Sequence, residues 1–164
     1  MATPYMVPIE AFYRRVEKDY EFFNYFDLTP EEAMELARER ANGYLMEATG
    51  MLMLKCVPDV DFNDRDDVTQ EFNFDWTNSE VFLIGSLMYE MYLDRDIARL
   101  KCLMVNYTPT DLKVFDPSNA RSTFLAMYES VCNKNALLID DYASRDRLTG
   151  KLKGIDYASY DEGE

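Results

Sequence analysis

Apolar residues recur three and four positions apart in several stretches of this chain, the spacing that gathers side chains on one face of a helix. Ile9, Phe12, Tyr13 and Val16 follow Pro8, with Glu10, Arg14, Arg15 and Glu17 on other faces, which predicts a short amphipathic helix carrying Pro8 in its first turn. A second stripe, Ala33, Leu36, Ala37, Ala41, Tyr44, Leu45, Ala48 and Leu52, follows Thr29-Pro30-Glu31-Glu32. There Thr29 caps the helix, Pro30 is its first residue and Glu32 closes a capping box, and the helix is expected to end between Gly50 and Lys55. A third stretch, Val81 to Leu93, opens on another box, Thr77 with Glu80. It is apolar nearly all round, which places it at the centre of the fold or against another subunit. Asp94-Arg95-Asp96 is expected to interrupt it before a shorter helical piece from Ile97 to Met104. The last stripe starts after Asp116-Pro117 and runs through Ala120, Phe124, Met127, Tyr128, Val131, Leu138 and Tyr142, with Asn135 as a polar gap.

Between these stretches the pattern changes. Tyr20, Phe22, Phe23, Tyr25 and Phe26 form an aromatic cluster that belongs to the core by its burial energy. Phe72, Phe74 and Trp76 alternate with polar residues as in a short strand or hairpin. The expected fold is all-α, a small bundle of four to five helices with long loops and that strand or hairpin. Residues 1–144 form the helical domain, and residues 145–164, with three glycines, form a flexible tail that orders on a partner.

Composition makes this a folded chain rather than a disordered one, since 164 residues with 48% hydrophobic and 14% aromatic content bury a sizeable core. The longest apolar stretch is broken by Glu90 and falls short of the ~18 residues a membrane span needs. Charge adds more: 31 acidic residues against 17 basic give −14, which disfavours contact with phosphate backbones. Half of that excess lies between Cys56 and Glu80, where Asp59, Asp61, Asp64, Asp66, Asp67, Glu71, Asp75 and Glu80 face one base, Arg65. The absence of histidine removes Ser-His and Cys-His nucleophiles, imidazole metal ligands and a switch near neutral pH.

Chemistry finds little support. Cys56, Cys102 and Cys132 lack the CxxC spacing of a zinc or redox pair. Asp59-Val60-Asp61-Phe62-Asn63 matches the first ligands of a calcium loop, but Asp64 replaces the turn glycine and Gln70 the closing glutamate. No phosphate cradle or nucleophile elbow is present, and nothing selects a catalytic carboxylate pair. The expectation is a non-enzyme without cofactor.

The order of features, Asp64-Arg65-Asp66-Asp67, then Phe72-Asn73-Phe74-Asp75-Trp76-Thr77 with Glu80, the apolar helix, Asp111-Leu112-Lys113-Val114-Phe115 and the long final helix, resembles head-tail connector (neck adaptor) proteins of tailed bacteriophages that infect Gram-positive hosts. The resemblance covers Thr29 to Tyr142. It implies a homo-oligomeric ring of twelve copies that docks on the portal protein and receives a downstream neck or tail component, with genome DNA passing through without specific binding. It also implies the host cytoplasm during assembly and the virion neck afterwards, with no membrane.

On that reading Asp59, Asp61, Asp64, Asp66, Asp67, Glu71 and Asp75 are the acidic lumen or interface residues. Copies of such charge repel, so ring closure calls for arginines opposite neighbouring carboxylates. Arg38, Arg40, Arg95 and Arg99 are the foremost candidates, with Arg14, Arg15 and Arg121 beside them, and Tyr157 and Tyr160 are expected tail contacts. The alternative from another class is an acidic binding protein or DNA mimic that occupies a basic site on a host protein.

Overall fold

A computed structural model of the chain describes residues 2–18, 20–23, 25, 27–105 and 117–154, with the side chains of 20, 21, 96–105 and 117–121 outside the description. It is mostly helical with one small antiparallel sheet. The elements are β1 (Thr3–Pro4), α1 (Met6–Val16), the single turn α2 (Tyr20–Phe23), α3 (Pro30–Lys55), β2 (Arg65–Asp66), β3 (Glu71–Phe72), α4 (Asn78–Val105) and α5 (Pro117–Ser144).

Local sequence accounts for most helix starts. Pro8 sits in the first turn of α1, and Ile9, Phe12 and Val16 make its buried face. At α3 the predicted capping box is formed: the Thr29 hydroxyl accepts from the Glu32 amide (3.3 Å), and the Thr29 amide donates to the Glu32 carboxylate (2.9 Å). These bonds hold the Glu32 carboxyl below its ordinary range. The buried face of α3 is lined by Ala33, Ala37, Ala41 and Ala48 with Tyr44, Leu45 and Leu52, small residues that let neighbouring helices approach closely.

The apolar helix α4 is the centre of the fold, contacting α1 on one side, α3 on another and α5 on a third. Its all-round hydrophobicity is therefore used inside the monomer. Helix α1 approaches closely at Gly85, where a Cβ would lie 3.0 Å from that of Ala11. The expected interruption at Asp94-Arg95-Asp96 does not occur, because α4 continues unbroken for 28 residues. Asp94 and Arg95 lie on an exposed side of the helix, and Arg95 pairs with Glu47 and covers the Tyr44 ring (4.5 Å). A weak capping preference gives way to such tertiary contacts.

Two aromatic groups fill the core. Phe12, Phe22, Tyr44 and Tyr92 meet with centroids 5.3 to 6.1 Å apart, so Phe22 from the predicted cluster is core. Phe62, Phe72, Phe74 and Trp76 form the second group, joined by Tyr5 (4.8 Å from Phe72). The expected strand is limited to Glu71–Phe72, and the sheet runs in the order β1-β3-β2, with Thr3 and Arg65 both opposite Phe72. The β2–β3 turn is closed by Asp66, which accepts from the Val68 amide (2.8 Å), and by Gln70 in the left-handed region (φ 57°).

Candidate functional site

The acidic segment forms the β2–β3 hairpin and its flanks, and its carboxylates largely serve their own turns. Asp61 accepts from the Asn63 amide (2.8 Å) and Asp64 from the Asn73 side chain (2.7 Å). Asp67 accepts from the Tyr5 hydroxyl (2.6 Å) and Arg65 (3.2 Å), and the Tyr5 bond is the main reason its carboxyl titrates below the ordinary range. Asp59 turns the other way, to Lys153 Nζ (2.8 Å) and the Arg147 amide (3.3 Å). The alternate oxygens of the partial calcium loop thus diverge, and among the described residues no group of three potential ligands is placed to hold a metal. Asp59, Asp61, Asp64, Asp66, Asp67 and Asp75 are solvent-exposed and Glu71 is half-buried.

The eighth acid of the segment behaves differently. Glu80 is 0% exposed and accepts from the Thr77 amide (2.8 Å), the Tyr142 hydroxyl (3.0 Å) and Nε and Nη2 of Arg147 (2.6 and 3.0 Å). Arg147 also donates to the Asp75 carbonyl and lies over the Phe74 ring (5.7 Å). Glu80 raises the Arg147 pKa, and burial followed by the Glu80 charge pushes the Tyr142 phenol well above its ordinary value. A fork of this kind is the strongest geometry available to a carboxylate. In the sequence Glu80 reads as a capping residue and one of the segment's acids, and Arg147 shows no role. The available signal was an acid on a helix apolar all round, which needs a cation from elsewhere in the chain.

That cation lies in the stretch expected as a tail. Helix α5 ends at Ser144 as anticipated, but residues 145–154 stay on the domain. Arg145 pairs with Asp141 (2.8 Å), Asp146 accepts from the Thr149 amide (2.8 Å) and hydroxyl (2.6 Å), and Gly150 turns the chain with φ 67°. Lys153 then donates to the Ser144 carbonyl (2.8 Å) and reaches Asp59. Burial of Glu80 is the physical reason: a desolvated carboxylate holds the arginine that neutralises it. A cleft of ≈ 360 Å³ opens beside this turn, with Phe82, Leu83, Leu138 and Tyr142 on its walls. Tyr157 and Tyr160 lie outside the described residues.

The proposed pairing arginines divide. Arg40 donates to the Tyr25 hydroxyl and lies over Phe22 (5.0 Å), and Arg95 is held by Glu47, so both are engaged within the monomer. Arg38 is exposed and donates to Gln70 (2.7 Å). Arg15 sits over the Phe82 ring (4.8 Å), and Arg14 is exposed. The side chains of Arg99 and Arg121 lie outside the described residues.

No family model, curated protein or solved structure matches the chain. Among the described residues no helix is long and apolar enough to cross a membrane. One further feature stands out at the end of the molecule where α3 stops. Leu54 (89%), Val57 (89%), Leu148 (80%) and Leu152 (68%) are largely exposed there, on the two segments joined through Asp59.

Proposed function

We propose that this chain is a virion structural protein, a head-tail connector that forms a twelve-membered ring below the portal and joins the packaged head to the tail machinery. The observation that carries this reading is the exposed apolar set Leu54, Val57, Leu148 and Leu152. Exposed apolar side chains on neighbouring segments are a mark of association. The set supplies the subunit contact that α4, spent inside the monomer, does not. Lys55 and Lys151 are exposed beside it on a chain of net charge −14, so the same set offers cations to a neighbour's carboxylates. Contacts of unlike patches close rings by rotation.

The hairpin carboxylates suit a channel wall that genome DNA passes without sticking. On this reading the protein works in the host cytoplasm during assembly and in the virion neck afterwards, with no cofactor and no catalytic step.

Subunits of charge −14 repel most where screening is weakest. Rings are therefore expected to persist better at moderate than at very low salt, as read by native mass spectrometry or light scattering across a salt series. Negative-stain images should show rings, alone or on a portal. A chain that stays monomeric at every salt concentration and never joins a portal overturns the proposal. The hairpin's exposed carboxylates favour the acidic-inhibitor reading as second choice, and recovery of one basic host enzyme at a one-to-one ratio would replace the connector with it.

A further inference from the structure

Among the described residues helix α4 carries two buried carboxylates, Glu80 and Glu90, and only Glu80 is paired with a cation. Glu80 is neutralised by Arg147. Glu90, 6% exposed, accepts from Asn135 Nδ2 (2.7 Å) and from the Cys132 thiol, both neutral donors. Asn135 is fully committed, since it also donates to the Ser86 carbonyl (3.1 Å) and accepts from the Ser86 hydroxyl (2.7 Å). Among the described residues no lysine or arginine forms an ion pair with Glu90. Burying a carboxylate is costly unless it is paired.

Glu90 is not sealed off. It lies in a cleft of ≈ 390 Å³ between the end of α3, α4 and the second half of α5, within the ~300–1,000 Å³ of small-molecule sites. Met51, Ala136 and Ile139 line it as apolar walls, and Lys55 and Asp140 add charges of opposite sign that offset one another. The cleft therefore combines an apolar passage with one net negative charge held in a rigid hydrogen-bond network. The chemistry that fits is a cationic head on an aliphatic stem, the form of a lysine or arginine side chain or of a free alkylamine.

We infer that this cleft is a binding site for a primary ammonium or guanidinium group, with Glu90 as its counter-charge. The inference stands on the cleft alone and does not require the connector reading.

Agmatine titrated calorimetrically into the full chain tests it, with 1-pentanol as the uncharged control. Agmatine should bind in the millimolar range or tighter, and pentanol should not. Glu90→Gln keeps the shape and the acceptor for Asn135 but removes the charge, and should weaken agmatine at least about tenfold, equivalent to about 1.4 kcal/mol. Ala136→Trp, on an exposed helix position, should abolish binding by filling the cleft while leaving the buried network untouched. If agmatine also dissociates oligomers of the native chain, the natural occupant is a side chain of a neighbouring copy. Binding without a change in oligomeric state assigns the site to a free amine. Absence of agmatine binding to the native chain, or undiminished binding to both variants, overturns the inference.

Discussion

Arg147 shows how one side chain fastens the chain after α5 to the helices. Its side chain is 14% exposed and that of Glu80 0%, so Arg147→Ala leaves a buried carboxylate without its cation and should cost about 3–5 kcal/mol in urea unfolding. Arg95 makes the contrasting case, because its pair with Glu47 is half-exposed on both sides, and Arg95→Ala should change stability by no more than about 1 kcal/mol through that pair. Titration follows the same local logic. Glu32, ordinarily 4.5, and Asp67 and Asp146, ordinarily 3.8, are lowered in the fold by hydrogen bonds. Their stabilisation is present above those values and is lost as pH falls through the lowered ones. Tyr5, Tyr128 and Tyr142 are raised above 10.0, and Tyr13 is pushed up to about 12, chiefly by burial. Their contribution is complete below pH 10 and lost as pH climbs through the raised values. With no histidine, melting temperature should be level from about pH 5 to about pH 9 and fall on both sides. A slope centred near neutrality would contradict this assignment.

At the scale of elements, glycines in helices separate propensity from packing. Gly43 and Gly50 in α3 have open space where a Cβ would go, so Gly43→Ala and Gly50→Ala should each raise stability by about 0.5–1 kcal/mol. Gly85 in α4 is different. An added Cβ would meet Ala11 Cβ at 3.0 Å and the Ala11 backbone carbon at 3.3 Å, neither of which is a flexible side-chain end. Gly85→Ala should destabilise by about 1–3 kcal/mol despite its better helix propensity. Chemical denaturation of the three variants reads both signs, and a stabilised Gly85→Ala would mean that α1 does not cross α4 at this point. The capping boxes are the reverse case, in which the helix start follows from two residues three apart. Thr29 with Glu32 and Thr77 with Glu80 start α3 and α4 at the positions their spacing indicates.

For the whole molecule, the central place of α4 redirects the question of assembly. A helix apolar on every side offered two destinations, and contacts with α1, α3 and α5 place it in the monomer's core. Among the described residues Leu54, Val57, Leu148 and Leu152 and the carboxylate-rich hairpin remain on the surface. Salt-dependent assembly is a property of this scale, because it depends on the summed charge of each copy rather than on any pair.

Sequence by itself determined the helical class, the helix starts at capping boxes and Pro8, the buried faces of α1 and α3 and the concentration of acid between Cys56 and Glu80, since each follows from contacts within a turn or two of chain. Only the tertiary structure decided the rest. Strands of two residues carry no period, so β1 was invisible until Phe72 paired with it. The charged triplet at Asp94 reads as a break locally, but the helix runs through it, with Asp94 and Arg95 exposed and Arg95 held by Glu47 and over Tyr44. Asn135 looks like a gap in a stripe and is instead the hinge of a buried network with Ser86 and Glu90. Arg147 and Glu80, 67 residues apart, become partners because burial of a carboxylate is settled by whatever the fold brings to it.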